Sequence, residues 1–114
     1  MRRVTERLQD ILDAIDAIDR YTQQGKKAFE AQELIQVWVV HHCEIIGEAI
    51  NALPSELLSQ FPEVPWGQII GLRNRLIHEY FRIDPEVIWD ITQEDLPSLR
   101  SVISKMLNTY SDPL

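Results

Sequence analysis

Apolar positions recur along this chain at helical spacing, and no strand-like alternation of apolar and polar residues appears. Within residues 3–23, Val4, Leu8, Ile11, Leu12, Ile15 and Ile18 follow the i, i+3, i+4 template, which predicts an amphipathic helix. Asp10, Asp13, Asp16 and Asp19 recur every three residues beside that stripe and read as a solvated acidic face rather than a metal site. Gly25 supplies the stop signal. A second, longer helix is expected over 28–53. One apolar stripe is Leu34, Trp38, Ile45, Ala49 and Leu53, and a second is Val39, Ile46 and Ile50. A helix apolar on two sides is expected at the centre of a bundle. Gly47 in mid-helix costs about 1 kcal/mol relative to alanine, so a close neighbouring helix is the reason to expect there. Pro54 ends the run.

The pattern then loosens. Residues 55–65 read as a connector with one helical turn at Ser55–Leu58, punctuated by Pro62 and Pro65. Pro65 opens a third helix expected to fade by Phe81. Asp84-Pro85-Glu86 is a helix start: N-cap, proline at the first position, acid in the first turn. It predicts a short helix over about 85–91. Thr92 and Asp95 form a loose capping box before a last helix carrying Leu96, Leu99, Val102, Ile103, Met106, Leu107 and Tyr110. The expectation is one all-α domain over residues 1–114.

Composition narrows the class. Hydrophobic residues make up 45% and charged residues 25%, the balance of a soluble globular protein. No apolar run is long enough to span a bilayer and no signal-type segment opens the chain, so a cytoplasmic protein with no membrane partner is expected. The single Cys43 rules out an internal disulfide framework. A net charge of −7 argues against broad nonspecific nucleic-acid binding. The charge is uneven, however. Residues 66–82 carry Arg73, Arg75 and Arg82 against Glu79 alone, so a polyanion would be held there.

Candidate chemistry concentrates in the same stretch. On a helix through residues 69–80, Ile69, Ile70, Leu72, Leu76, Ile77 and Tyr80 share one face and Arg73 falls in its middle. A guanidinium keeps its charge, so Arg73 must meet a carboxylate, a partner subunit or an anionic ligand. Glu44 and Glu48 on the second helix are the candidate carboxylates. Asn74 and His78 are four apart and neighbour each other, and Tyr80 returns to the Arg73 side. That grouping suits a phosphate. The His41-His42-Cys43 run does not suit a metal, because adjacent helical residues diverge by roughly 100°. No Gly-rich phosphate loop and no assembled metal motif is present, so no cofactor and no metal is expected.

Arg73-Asn74 followed by His78 and Tyr80 resembles the Arg-x4-His signature of HEPN domains, in the longer Arg-x4-His-x-Tyr form of the HepT toxins. The likeness extends to Glu44-Ile45-Ile46-Gly47-Glu48-Ala49, to Pro65-Trp66 through Asn74, and to Tyr80-Phe81, Ile83-Asp84, Val87, Trp89 and Asp95-Leu96-Pro97. It is weakest in the first helix. The resemblance implies a five-helix HEPN-type bundle, four main helices plus a short one, acting as a homodimer. It implies a metal-independent endoribonuclease, the toxin of a type VII-like toxin–antitoxin system, with transfer or messenger RNA as substrate. Its partner would be an MntA-type nucleotidyltransferase antitoxin that adenylylates the motif tyrosine, here Tyr80. Arg73, Asn74 and His78 would be catalytic, with Glu48 and Arg75 as possible support. The alternative is a non-catalytic helical partner or substrate of a nucleotidyltransferase, which the acidic balance favours.

The chemistry has its own logic. Metal-free RNA cleavage uses the 2′-OH as internal nucleophile and needs a base that titrates near neutrality, the role of histidine. It also needs a cation for the charge on phosphorus, the role of arginine. One motif supplies one histidine, so a general acid has to come from a second copy across a two-fold axis.

Overall fold

The computed structural model describes residues 3–71, 77–78, 82–110 and 112, with backbone alone at 77–78 and 82–83. The fold is all-α. Helix α1 spans Val4–Thr22, α2 Lys26–Ala31, α3 Glu33–Asn51, α4 Ser55–Leu58 and α5 Trp66–Ile70. A two-residue antiparallel rung follows, Ile77–His78 against Arg82–Ile83. Then come α6 (Pro85–Asp90), a π-helical turn (Ile91–Asp95) and α7 (Leu96–Thr109).

The amphipathic pattern of α1 is realised as expected. Leu8, Ile11, Ala14, Ile15 and Ile18 are buried and Asp13, Asp16 and Asp19 face outward. Arg100 of α7 reaches Asp16 and Asp19 at 2.6 Å each, so part of the acidic face pins two helices together. The first turn of α1 lacks a cap of its own. Asp112 supplies it from the far end of the chain, accepting from the Val4 amide at 3.0 Å and from the Thr5 hydroxyl. Gly25 at φ 102° makes the turn out of α1, a conformation that side chains other than glycine's rarely tolerate.

The expected single helix over 28–53 is two helices. The chain breaks at Gln32, which is extended at φ −123°, ψ 101°. The break rotates Phe29 fully into the core, where it packs against Trp89 at a ring separation of 5.4 Å. The Gln36 amide restores satisfaction by donating to the Phe29 carbonyl at 3.0 Å and the Glu30 carbonyl at 3.3 Å. The break also removes Leu34 from the first apolar stripe: it is 85% exposed, whereas Ala49 and Leu53 of that stripe are buried with Ile35, Val39, Cys43, Ile46 and Ile50. Trp38 is half-buried and lies over α1, its indole N–H donating to the Ala17 carbonyl at 2.7 Å. The middle of the three long helices is α1, which packs against both α3 and α7; the apolar second side of α3 is occupied by α5 and α6.

Downstream, Ser55–Leu58 forms the expected helical turn. The Trp66 indole N–H, shared between the Leu58 and Phe61 carbonyls at 3.0 and 3.1 Å, ties the connector to α5. Asp84 caps α6 as expected, accepting from the Glu86 and Val87 amides at 3.1 and 3.4 Å. The Thr92/Asp95 box is not a helix start. Thr92 donates to the Trp89 carbonyl at 2.7 Å, and the backbone runs on helically from Pro85 through Thr109. Pro97 has no N–H to offer four residues back, and the ladder widens to a π turn just before it.

The third helix is also shorter than expected. It ends at Ile70, and Ile77–His78 is extended and paired with Arg82–Ile83 in the register Ile77↔Ile83, His78↔Arg82. Gly71 weakens helical continuation, and Pro85 pushes the residue before it, Asp84, to the extended region at φ −100°, ψ 101°. β-branched Ile77 and Ile83 suit the extended rung between these two breaks.

Candidate active site

The site is approached from α3. Gly47 is buried where α5 crosses it, and a Cβ at this position would stand 3.2 Å from the Ile70 carbonyl oxygen and 3.3 Å from that of Ile69. The absent side chain lets the last turn of α5 lie on α3, as the cost of a mid-helix glycine predicted. This contact positions Gly71 two residues before the Arg-x4-His stretch. On the other side of that stretch, the Arg82–Ile83 rung and the Asp84 cap lead into α6. The described elements that flank the stretch are therefore α5, seated on α3, and α6, capped by Asp84.

A recess of about 130 Å³ opens beside the Gly47 contact, lined by Cys43, Glu44, Gly47, Glu48, Asn51 and Ile70. Glu48, a candidate supporting residue, is exposed at its rim. Asn51 joins it, an exposed amide that the sequence reading passed over. Its signal was the spacing: residues 44, 47, 48 and 51 share one helical face. Arg73, Asn74, Arg75 and Tyr80 lie outside the described residues. His78 is described in its backbone, in the rung facing Arg82.

Cys43 takes no part as a nucleophile. It is fully buried, and burial, reinforced by the neighbouring Glu44 charge, pushes its thiol up to about 12. His41 is exposed, while His42 is half-buried with Nδ1 2.7 Å from the Trp38 carbonyl and its ring 4.3 Å from that of Trp38. The carbonyl can only accept, so Nδ1 carries the proton of that bond. The three consecutive residues thus occupy three different environments. Among the described residues, no three His, Cys, Asp or Glu side chains gather in a way that could hold a metal ion. Nor is any described helix long and apolar enough to cross a membrane.

The profile of the family described as "Ribonuclease HepT-like" matches residues 11–106, which span the recess and the whole Arg-x4-His-x-Tyr stretch. The chain belongs to this HepT-like ribonuclease family. Relatives agree over almost the full length. "Probable ribonuclease HepT" of Thermococcus cleftensis is 36% identical over 100 residues, covering 87% of this chain and 91% of that protein. "Putative RNase MJ1380" of Methanocaldococcus jannaschii is 36% identical over 103 residues, covering 90% of this chain and 94% of that protein. No solved structure matches the chain. Both sides of the Gly47 contact, α3 and α5, lie inside the segment that the family profile matches.

Proposed function

We propose that this HepT-like protein is a metal-independent endoribonuclease, the toxin of a toxin–antitoxin pair, and that Arg73, Asn74 and His78 carry the reaction. The observation that supports this most is the position of Arg73-Asn74-x3-His78-x-Tyr80 inside the segment matched by the ribonuclease family. In this reading His78 takes the proton from the ribose 2′-OH, and O2′ attacks the adjacent phosphorus. The P–O5′ bond breaks, leaving a 2′,3′-cyclic phosphate and a 5′-hydroxyl. Arg73 holds the equatorial phosphate oxygens as negative charge builds on them. Asn74 orients the imidazole or the phosphate. Arg75 adds local positive charge, and Glu48 at the rim of the recess orients the arginines. The imidazole of a second copy protonates the leaving O5′, so the working unit is a homodimer of one-domain chains.

The control step in this proposal is adenylylation of Tyr80 by an MntA-type nucleotidyltransferase in the cytoplasm. The phenolic oxygen attacks the α-phosphorus of ATP, and pyrophosphate leaves. AMP on Tyr80 would place bulk and negative charge next to Arg73 and His78 and block RNA, whether transfer or messenger.

The test is cleavage of an end-labelled RNA by the purified protein in EDTA. Wild type is expected to leave cyclic phosphate ends, and His78→Ala, with an unchanged circular dichroism spectrum, is expected to lose cutting by at least a hundredfold. Persistent cutting by His78→Ala removes His78 from the reaction. If the unmodified protein leaves RNA intact, yet Tyr80 gains AMP mass once the nucleotidyltransferase and ATP are added, the non-catalytic partner reading stands instead.

A further inference from the structure

A second depression lies apart from the recess. It is a groove of about 320 Å³ between α5 with its preceding connector on one side and the π turn with α7 on the other. Its floor is aliphatic: Val64, Ile69, Ile91, Leu96, Leu99 and Val102. Its rim carries two exposed carboxylates from opposite walls, Glu63 and Asp95, and among the described residues no lysine or arginine lines it. The volume sits at the lower end of the roughly 300–1,000 Å³ typical of ligand pockets, which suits a few side chains rather than a broad folded surface. A second feature marks the same place. The π-helical turn begins at Ile91 and ends at Asp95, and both residues line the groove. π turns are uncommon and concentrate at functional sites.

We propose that this groove docks a short amphipathic segment of a partner protein, one that offers aliphatic side chains to the floor and lysine or arginine to Glu63 and Asp95. The charge pattern selects that occupant. RNA would bring phosphates to a carboxylate rim and be repelled, and an acidic or purely apolar peptide would leave both carboxylates without partners. The proposal does not rest on the catalytic reading, because it is argued from described groove residues outside the Arg-x4-His stretch. It does connect to it mechanically. Ile69 lines the groove and its carbonyl lies against Gly47, so an occupant presses on the helix that precedes the Arg-x4-His stretch.

The probe is a fluorescein-labelled twelve-residue peptide with leucine at positions 2, 5, 6 and 9 and lysine on the flanks, read by fluorescence anisotropy against the full chain. Its control carries glutamate in place of every lysine. The lysine peptide is expected to bind wild type at least tenfold more tightly than the glutamate peptide. The Glu63→Lys/Asp95→Lys double variant, altered at two exposed positions, is expected to reverse that preference. Equal affinity of the two proteins for the lysine peptide, or no binding by wild type, overturns the proposal. Sedimentation in parallel distinguishes the remaining occupant. A wild-type dimer that the double variant dissociates would mean that a second copy already fills the groove, and the partner proposal falls.

Discussion

Replacing Gly47 by alanine puts a methyl group where a Cβ would stand 3.2 Å from the Ile70 carbonyl oxygen and 3.3 Å from that of Ile69. Both obstructing atoms are backbone, so α5 itself has to yield by a few tenths of an ångström. Two effects oppose each other. Alanine over glycine in a helix interior gains about 1 kcal/mol. Overpacking a tight contact costs about 1–3 kcal/mol. With the middle of that range, Gly47→Ala loses about 1 kcal/mol net. The matched control is Gly67→Ala on α5, where a Cβ meets nothing within 4 Å and the residue is exposed. There the propensity gain stands alone, and the variant is stabilised by about 0.5–1 kcal/mol. Urea denaturation followed by circular dichroism reads both. With a slope of about 1–3 kcal/mol per molar, the midpoints move about 0.5 M in opposite directions. RNA cleavage should fall with Gly47→Ala and stay unchanged with Gly67→Ala, because only the former displaces the approach to the motif. If Gly47→Ala stabilises the protein as Gly67→Ala does, α5 does not lie on α3 as described, and the positioning argument for the site fails with it.

Cys43 predicts a pH effect. Its folded thiol is raised to about 12, above the ordinary thiol range near 8.5. The fold therefore holds a proton that the unfolded chain releases, and this contribution to stability is complete below about pH 8.5 and is lost as pH rises toward 12. Denaturation midpoints should fall between pH 9 and pH 10.5 by up to about 1.4 kcal/mol per pH unit, and less steeply in Cys43→Ala. Iodoacetamide at pH 8 should label Cys43 only in denaturant, and rapid labelling of the native protein would contradict its burial. Asp112→Asn should weaken the cap on α1 by about 1 kcal/mol. Hydrogen exchange should quicken in the first turn of α1 and not in α3. Uniform quickening would mean that the tail is not a local clasp.

Much of this was legible in the chain. The i, i+3, i+4 spacing of α1, the glycine at position 25, the Asp84-Pro85-Glu86 start and the close approach at Gly47 all depend on local geometry that residue types dictate. The family was legible too, through the resemblance carried by Arg73, Asn74, His78 and Tyr80 together with their flanking residues. Other features depended on residues far apart in sequence. The chain breaks at Gln32 because Phe29 finds a core site against Trp89, and because the Gln36 amide serves the carbonyls that the break exposes. No window of local periodicity contains that trade, so the pattern through 28–53 looked continuous. Leu34 joined an apolar stripe on paper and is exposed in the fold, because the axis that sets its direction starts at Glu33. The cap that Asp112 lends to α1 and the groove between α5 and the π turn are likewise tertiary. Residue types set which segments coil and which side chains suit phosphate chemistry, since those are properties of neighbours along the chain. Where helices stop, and what surrounds each carboxylate, depended on packing, since burial and hydrogen-bond satisfaction are properties of neighbours in space.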